Sequence, residues 1–504
     1  MNELEQLPSE YYASGLSDRK PYEDRAEKFC ELTIPAMFRT TGSSGADKLP
    51  DRYVQSLGAK LVKNLSSKIT LTLMPPSASG FKLSPDLRAL QSLTGGNPDM
   101  ISQVNAELSS GVDLINKQIE AQDIRKHIFG LIDHQLLVGS CIMEKVPNKG
   151  IKTHSLRNIV VTLNDVGDCI QMCVLEELKS LPVDLQGTID EDAKEGDKYK
   201  LYTMGILDEN TDTWTMWQEI GGQLIGQERS FKADKFPFSY QGMLWNTGEP
   251  YHRPFVEDYY GSLNSYDKLS KVLTQGALIA SKSLTFVNER GGRTRKADVA
   301  NSQNGAVVDG SAEDVTSFQH NKNFDFQVPM QVRAELRQEL EEAFLAKNSI
   351  TRQAERVTAE EIRQMAQELE SAMAGVYATI SNRITKQIVM WIMSELKLKF
   401  KAINVDIITG LNALGLSNEV AKLDGFLTRL AQMEKTIWVK DKELVDRYAV
   451  GYGINTVNLI KTPAEVQQEM QAQQQAMAQQ QLAQSGAESL GKNAGEALMK
   501  GPQQ

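Results

Sequence analysis

The feature that most constrains the fold of this chain is a long helical pattern in its last third. Apolar side chains recur there at helical spacing, at Ile362, Met365, Leu369, Met373, Val376, Ile380, Ile384, Ile388 and Trp391. No proline occurs between residues 358 and 396, and Gly375 is the one weak helix former. The pattern predicts one continuous helix at about 358–398, roughly 55–60 Å long as far as Leu396 at 1.5 Å per residue.

Local signals mark the start of this helix. Thr358 and Glu361 have the spacing of a capping box, in which the hydroxyl and the carboxylate satisfy the first free N–H groups. The polar segment 348–357 precedes them and carries Arg352 and Arg356. Ordinary globular helices are much shorter, so the pattern favours a helix that spans one layer of an assembly, with an exposed basic loop at its start. The alternative is a core helix of a large α-rich domain.

Composition is that of a folded protein and limits the partners. The 504 residues are enough for about three domains, and 41% hydrophobic and 24% charged residues are ordinary proportions. The formal net charge is −10, from 55 Lys and Arg against 65 Asp and Glu. An acidic surface argues against tight wrapping of nucleic acid, although it allows local basic rings.

Targeting and redox signals favour a protein of the reducing cytoplasm. The first ten residues, MNELEQLPSE, are acidic and polar, so we expect no secretory signal. The longest apolar runs, such as IVMWIM at 388–393, are too short to span a bilayer. The four cysteines, Cys30, Cys141, Cys169 and Cys173, are too few for a disulfide framework.

The sequence carries no recognisable catalytic or cofactor motif. Neither the phosphate-binding pattern G-x-x-x-x-G-K-[ST] nor the nucleophile turn G-x-S-x-G occurs. Cys169 and Cys173 have no partner pair at zinc spacing. His127, Asp133 and His134 lie in an apolar pattern, where such residues more often satisfy helix hydrogen bonds than act in catalysis. We therefore expect no catalytic residue, no metal and no cofactor.

The first half of the chain predicts a mainly α protein with a smaller β region, an α+β fold. Helical periods occur at 53–76 and 100–145. Between 151 and 240, β-branched and alternating runs are separated by Gly and Asp turns, which predicts a small antiparallel β region. The stretch 236–255 is punctuated by proline and glycine and is predicted to be packed coil.

Two further helices enclose a short module. One is predicted at 257–286, and the second begins near Pro329, a residue that helices tolerate in the first turn. The module between them, 288–319, is glycine-rich and strand-prone. Its basic residues are Arg290, Arg293, Arg295 and Lys296. The order is therefore helix, module, returning helix, exposed loop and long helix, which a single compact domain rarely needs.

The C-terminal part divides in two. Residues 406–463 predict several short helices separated by Gly and Asn. From 464 to 504 the chain is rich in Gln, Ala and Met, which form helices well but have little to bury. Alone, this tail is expected to be frayed or disordered, and packing against copies of itself is the way in which it could become ordered.

Short motifs are spread in order along the chain. The most specific are ERVTAEEIR at 355–363, ELE at 368–370, GVY at 375–377 and GEPYHRPFVEDYYGSL at 248–263. Others are PY at 21–22 with Arg25, TIP at 33–35, GA at 58–59, NL at 64–65 and SK at 67–68. Together with the order of elements, these motifs resemble the portal (head-to-tail connector) proteins of short-tailed bacteriophages, of the autographivirus type. The resemblance extends from about residue 17 to residue 460.

The resemblance implies a portal fold with wing, stem, clip and crown. The implied regions are the wing at 1–256, a stem helix at 257–286, the clip at 287–326, a returning stem helix at 327–347, the tunnel loop at 348–357, the long helix of wing and crown at 358–405, the crown at 406–463 and the tail at 464–504. The tail is implied to be a helical barrel if it is ordered.

It also implies a non-enzymatic function at one vertex of a capsid. A ring, usually of twelve copies, would be the channel through which double-stranded DNA is packaged and ejected. The ring would nucleate head assembly and bind the packaging motor and then the tail. The implied partners are a second copy of this chain, major capsid and scaffolding proteins, the terminase large subunit, a tail adaptor, internal core proteins, and DNA bound without sequence specificity. No membrane is expected, and the implied location is the virion, or the host cytoplasm during assembly.

Particular residues take roles through the same resemblance. Lys347, Arg352 and Arg356 would face the channel and DNA from the tunnel loop, and the alternative for the two arginines is salt bridging between subunits. The four basic residues of the module would contact DNA or a partner from the clip, and the alternative is a solvated loop. Two other functions stay open on sequence grounds: another structural ring or tail adaptor of the virion, and a DNA-packaging enzyme.

Overall fold

A computed structural model of the chain describes residues 6–38, 55–75, 79–86, 92, 95, 98–181, 189, 194–195, 198–280, 283–288, 293–303, 306–307, 309–319, 326–346, 359–373, 375–398, 403–407, 423–432, 444–445, 448 and 471–472. The chain divides into two compact units. The first comprises residues 1–93 and 111–415, and the second comprises residues 94–110 and 416–504.

The helices follow the apolar periods of the sequence. They are α1 (Pro8–Ser14), α2 (Leu16–Leu32), α3 (Leu57–Leu73), α4 (Pro98–Ala121), α5 (Ile124–Val138), α6 (Tyr260–Ala280), α7 (Lys296–Asn301), α8 (Gln327–Ala343), α9 (Ala359–Met373) and α10 (Val376–Glu395). In α3, for example, Leu61, Leu65, Ile69 and Leu73 recur every four residues and are all buried. The stretch predicted as one helix at 100–145 is divided at Asp123, whose φ of 50° is left-handed.

The strands are short and pair antiparallel. They are β1 (Phe81–Pro85), β2 (Ser140–Val146), β3 (Gly150–Ser155), β4 (Ile159–Leu163), β5 (Cys169–Leu178), β6 (Lys194–Glu195), β7 (Lys198–Asp208), β8 (Thr213–Ile220), β9 (Gln223–Lys232), β10 (Phe238–Gly242), β11 (Ser283–Val287), β12 (Val315–Gln319) and β13 (Ile403–Ile407). One sheet has the order β4-β5-β7-β8-β9 with β6 beside β7, a second has the order β10-β2-β3, and two pairs are β1-β13 and β11-β12. Helices and a smaller β region confirm the predicted α+β class.

The sheet order follows from local turns. Ile220 pairs with Gln223 across Gly221 and Gly222, whose φ values are 58° and 80°. Both glycines therefore have the positive φ of a type I′ turn, which matches the twist of a hairpin and joins β8 directly to β9. The antiparallel β region predicted at 151–240 is confirmed, and it extends from β2 to β10.

The core of the first unit lies where α3 and α5 pack together and α5 packs on β2 and β3. Its fully buried apolar side chains include Leu65, Ile128, Leu131 and Leu136. Each contributes about 1.5–3 kcal/mol relative to an exposed position. α10 joins this core through the indole of Trp391, whose N–H donates to the carbonyl oxygen of Phe236 at 2.7 Å.

The second unit is described at fewer residues. Residues 423–432 are helical. Inside this helix the Thr428 hydroxyl donates to the carbonyl oxygen of Asp424 at 2.7 Å. The Tyr448 hydroxyl donates to the carboxylate of the same aspartate. These residues belong to the predicted crown, and most of 406–463 and of the tail at 464–504 lies outside the described residues.

The continuous helix predicted at 358–398 is instead two consecutive helices, α9 and α10. Gly375 lies between them with φ of +85°, a left-handed conformation that costs residues with a Cβ about 1–2 kcal/mol. Its carbonyl oxygen accepts from the Thr379 N–H at 3.1 Å and so begins α10. The prediction of a single helix was wrong because a helical apolar period continues on both sides of one glycine.

Two other predictions need correction. The stretch 236–255 is not all coil, because β10 pairs with β2 from Phe238↔Glu144 to Gly242↔Ser140. The helix predicted at 257–286 covers only Tyr260–Ala280, since Ser283–Val287 is strand β11, paired with β12. In both cases a strand partner distant in sequence decides the structure, and local propensity does not report it.

Candidate functional site

The predicted stem consists of two antiparallel helices, α6 and α8. The Ser262 hydroxyl near the start of α6 donates to Glu339 Oε1 near the end of α8 at 3.0 Å. At the other end, Phe326 precedes α8 and its ring packs directly against Gly276. A Cβ on Gly276 would lie only 2.4 Å from the nearest atoms of this ring. The missing side chain at Gly276 thus admits an aromatic ring of the same chain.

Apolar side chains also lie on the outside of this helical hairpin. Val272 on α6 and Val328, Met330 and Val332 on α8 are all exposed. Val328 is 68% exposed and Met330 is 56% exposed. Single exposed apolar residues are ordinary, but Val328 and Val332 are four residues apart on one face of α8, and a group of exposed apolar residues favours contact with another molecule.

The predicted clip follows β11 and includes β12, with which β11 pairs. Asp314, just before β12, organises the return of the chain. Its carboxylate accepts from the N–H of Arg293 at 2.8 Å and from the Thr294 hydroxyl at 3.2 Å. Its carbonyl oxygen accepts from the Asn288 N–H at 2.9 Å. The backbone at Arg293 is therefore fixed by a hydrogen bond, whereas its side chain is exposed to solvent.

Three of the four predicted clip cations lie in the described part of the chain. Arg293, Arg295 and Lys296 are all exposed and lie around the start of the short helix α7. Within the described ranges, no carboxylate is within ion-pairing distance of these three side chains. Arg290 lies outside the described residues. The three described cations are thus an exposed positive cluster on an acidic chain.

The predicted tunnel-loop residues, Lys347, Arg352 and Arg356, lie outside the described residues. So does Thr358, the predicted helix cap. Helix α9 begins at Ala359, one residue after it, and Glu361 lies in its first turn. The capping box of Thr358 and Glu361 therefore stays a prediction.

The histidine–aspartate group at 127–134 is structural. Asp133 is buried on α5 and pairs with the ammonium of Lys63 on α3. Burial raises the pKa of Asp133, although the bond from Lys63 opposes that change. His134 Nδ1 lies 2.9 Å from the carbonyl oxygen of Gly130, and burial lowers the pKa of this histidine. Both residues are thus engaged in helix packing, as the sequence indicated.

A mixed cluster of charged residues joins the two larger sheets. Glu144, His154 and Glu176 have ligand atoms within 4.8 Å of one another, a donor set that could hold a metal ion. His154 Nε2 is 2.6 Å from Glu144 Oε2. The Lys152 ammonium contacts Glu176 and lies 3.9 Å from Glu144. Because this lysine already supplies a cation to both carboxylates, the cluster is explained as an ion-paired contact between sheets.

Comparison with known families identifies the chain. The family model described as "Bacteriophage head to tail connecting protein" matches residues 9–459. The chain belongs to this family. The match covers α6, α8 and the segment between them, and both helices that replace the predicted long helix.

Individual relatives of this connector are phage portal proteins. That of Escherichia phage T7 is 28% identical, over 90% of this chain and 88% of the relative. That of Enterobacteria phage T3 is 28% identical, over 94% and 92%. That of Enterobacteria phage SP6 is 27% identical, over 90% and 89%. A chain in the neck of an empty GTA particle covers 80% of this connector at 11% identity, with a TM-score of 0.37, too low to inform the assignment.

The structure of the connector also draws attention to two residues of α3 that sequence reasoning did not place in the site. Asn64 and Lys68 contact the elements before and after the predicted tunnel loop, at Phe344 and at Glu368. The signal in the sequence is slight: they lie four residues apart, on one face of a helix.

In the described part of the chain, no helix is long and apolar enough to cross a bilayer.

Proposed function

We propose that this connector is a portal protein, a ring at one vertex of a phage capsid through which double-stranded DNA enters and leaves. The observation that carries the proposal is the match over residues 9–459 to the connector family. The T7, T3 and SP6 relatives, all portal proteins, support it because the alignments cover about nine tenths of both chains. Likeness over the whole length favours the same overall role.

The helical hairpin supports assembly into a ring. Val328, Met330 and Val332 on α8 and Val272 on α6 give it apolar surface that the described part of its own chain leaves exposed. We propose that a neighbouring copy covers these residues through a heterologous contact that repeats until the ring closes. Twelve copies, the usual number in portals, would carry a formal charge of 12 × −10, or −120. Such a field repels DNA from most of the channel wall and favours sliding over binding.

Local cations would then touch the moving duplex. The clip cluster of Arg293, Arg295 and Lys296 is exposed and has no carboxylate partner among described residues, which favours contact with DNA or a docked protein. For the tunnel loop, Lys347, Arg352 and Arg356 are proposed to make rotationally repeated phosphate contacts that carry no sequence information. The alternative is that Arg352 and Arg356 form salt bridges with glutamates of a neighbouring copy. A charge reversal distinguishes these salt bridges from contact with DNA.

The proposed role is mechanical and non-enzymatic. It needs partners in succession: capsid and scaffolding proteins during assembly, a packaging ATPase and then a tail adaptor, both at the clip end. Residues 348–357 and the clip are proposed as tunnel loop and docking surface, and residues 1–256 as the wing. The host cytoplasm during assembly and then the virion are the proposed locations.

Electron microscopy of the purified full chain, with particles classified by rotational symmetry, tests the proposal. We expect closed rings with a central hole wide enough for duplex DNA. A monodisperse monomer or dimer at every salt concentration would contradict the ring and with it the portal role. ATP turnover or metal-dependent DNA cleavage by the pure protein would instead favour a packaging enzyme.

A further inference from the structure

Helix α3 contacts the chain on both sides of residues 347–358. The Asn64 amide donates two hydrogen bonds of 3.2 Å, to the carbonyl oxygens of Phe344 and Leu345. One turn further along α3, the Lys68 ammonium lies 3.3 Å from Glu368 Oε2 on α9. Side chains four residues apart lie on the same face of a helix. One face of one helix therefore holds the elements at both ends of this segment.

The end held by Asn64 is a strained turn. The Leu345 N–H donates to the carbonyl oxygen of Glu342 at 3.0 Å, and the Ala346 N–H donates to that of Glu341 at 2.7 Å. This is the hydrogen-bond pattern of a Schellman motif, which requires a left-handed residue and usually uses glycine. Here Leu345 takes that place with φ of +53°. A Cβ in the left-handed region is unfavourable, so other contacts have to maintain the turn.

Two contacts do so. Phe344, just before Leu345, is fully buried, and its ring lies 5.4 Å from the rings of both Phe255 and Tyr259. The Asn64 amide donates to the carbonyl groups of Phe344 and Leu345, which directly follow the end of α8. The aromatic cluster fixes the position of the turn, and Asn64 stabilises its unusual backbone conformation.

The other end is held by an ion pair in a protected setting. The Lys68 side chain is 9% exposed and that of Glu368 is 39% exposed. On the same helix, Ala366, Leu369 and Met373 are buried. A buried ammonium needs a partner because desolvation of an isolated charge is unfavourable. Lys68 thus selects one position of α9 along α3, whereas apolar packing alone tolerates small shifts.

We propose that Asn64 and Lys68 are positioning residues that set where the segment 347–358 leaves α8 and enters α9. The inference rests on the proposed function in one respect, namely that this segment is the tunnel loop. Neither residue touches DNA in this proposal. Their effect is on the described elements at the two ends of the segment, the turn at Leu345 and the helix α9.

Amide hydrogen exchange of the full-length protein, followed by mass spectrometry, tests the positioning role without DNA. Asn64→Ala is expected to accelerate exchange at the Leu345 and Ala346 amides by about tenfold, since it removes two hydrogen bonds from a strained turn. Ser67→Ala is the matched control, because Ser67 lies on the same helix and its hydroxyl donates to Lys63 within that helix. Equal exchange in Asn64→Ala and the control would overturn the role of Asn64.

A second variant keeps the test decisive if Asn64→Ala folds poorly. Leu345→Gly removes the strain at the left-handed position, so we expect slower exchange at Ala346 than in the natural sequence. The double variant Asn64→Ala, Leu345→Gly should return towards the natural rate. If Leu345→Gly does not slow exchange, or if the double variant does not return towards the natural rate, then Asn64 does not act by opposing strain at Leu345.

Lys68→Met tests the second anchor by the same method. It retains the apolar stem and removes the charge, and we expect faster exchange of the α9 amides and unchanged exchange in β5 and β7. Unchanged α9 exchange would overturn the role of Lys68. DNA retention by assembled heads then separates the positioning role from the tunnel-loop role. Faster exchange with unaltered retention would support Asn64 and Lys68 as positioning residues and would contradict the proposal that residues 348–357 are the tunnel loop.

Discussion

Lys145 Nζ lies 2.9 Å from Glu395 Oε2, which joins strand β2 to the end of helix α10. The same ammonium donates a 2.6 Å hydrogen bond to the carbonyl oxygen of Trp391, in the last turn of that helix. Gln118 and Gln122 donate to the other carboxylate oxygen at 3.3 and 2.8 Å. Donors from α4, from Gln122 just after it and from β2 thus converge on one carboxylate, and this arrangement fixes the C-terminal end of α10.

Removal of the lysine charge should be costly. Both side chains are about 15% exposed, so Lys145→Met leaves a mostly buried carboxylate without its cation. Breaking a fully buried pair costs about 3–5 kcal/mol, and partial exposure reduces that to about 2–3 kcal/mol here. Urea denaturation measures the change in the free energy of unfolding. The control is Lys198→Met, whose pair with Glu177 is half exposed and should change stability by about 1 kcal/mol or less.

The same carboxylate predicts a pH dependence. Burial alone would raise the pKa of Glu395, but Lys145 and the two glutamine amides outweigh it and hold the pKa below the ordinary value of 4.5. Folding is therefore favoured by the ionised form. This contribution is fully present above pH 4.5 and is lost as the pH falls through the lower, folded pKa. Glu395→Gln should flatten the acid limb of a plot of unfolding free energy against pH, and an unchanged limb would refute the assignment.

Gly375→Ala tests the break between α9 and α10. If Gly375 has the left-handed conformation, alanine should destabilise the protein by about 1–2 kcal/mol. If α9 and α10 were one continuous helix, the same change should stabilise it by up to about 1 kcal/mol. Gly130→Ala is the control, since Gly130 lies inside α5 and an added Cβ there meets nothing within 4 Å. Thermal denaturation of both variants measures the change in stability, and the sign of that change for Gly375→Ala distinguishes the break from a continuous helix.

The apolar face of α8 should govern assembly. The double variant Val328→Ser, Val332→Ser is expected to lower the association constant of the ring at least tenfold, since these residues lie on one face of α8 and each buried apolar side chain contributes about 1.5–3 kcal/mol. Sedimentation velocity measures the fraction in rings. Val166→Ser is the control, because Val166 is 69% exposed and lies between β4 and β5, away from the hairpin. Equal assembly by both variants would remove the hairpin from the interface.

Charge reversal in the tunnel loop should separate DNA contact from salt bridging. Arg352→Glu is expected to leave ring formation intact and to reduce the DNA packaged or retained in assembled heads. Arg229→Glu on the exposed strand β9 makes the same change in net charge elsewhere. A failure of Arg352→Glu to form rings, with Arg229→Glu assembling normally, would point to inter-subunit salt bridging.

Wherever neighbours along the chain suffice, the sequence determined the structure of this connector. Alternating β-branched runs preceded an antiparallel β region. The order of stem helix, module and returning helix was also visible, because each element has its own apolar period and its own turn residues. The sequence identified Arg293, Arg295 and Lys296 by their positive charge, and all three side chains are exposed.

Tertiary structure alone decided the contacts between distant residues. β1 pairs with β13, so Phe81 faces Ile407, and Asn64 holds a turn at Leu345 that is 281 positions away. Gly375 is a break, although the apolar pattern runs through it, because a conformation open chiefly to glycine is selected there by packing on both sides. Patterns along a chain record which face of each element is buried. They do not record which partner covers that face, and in this protein the partner decides where helices end and where strands pair.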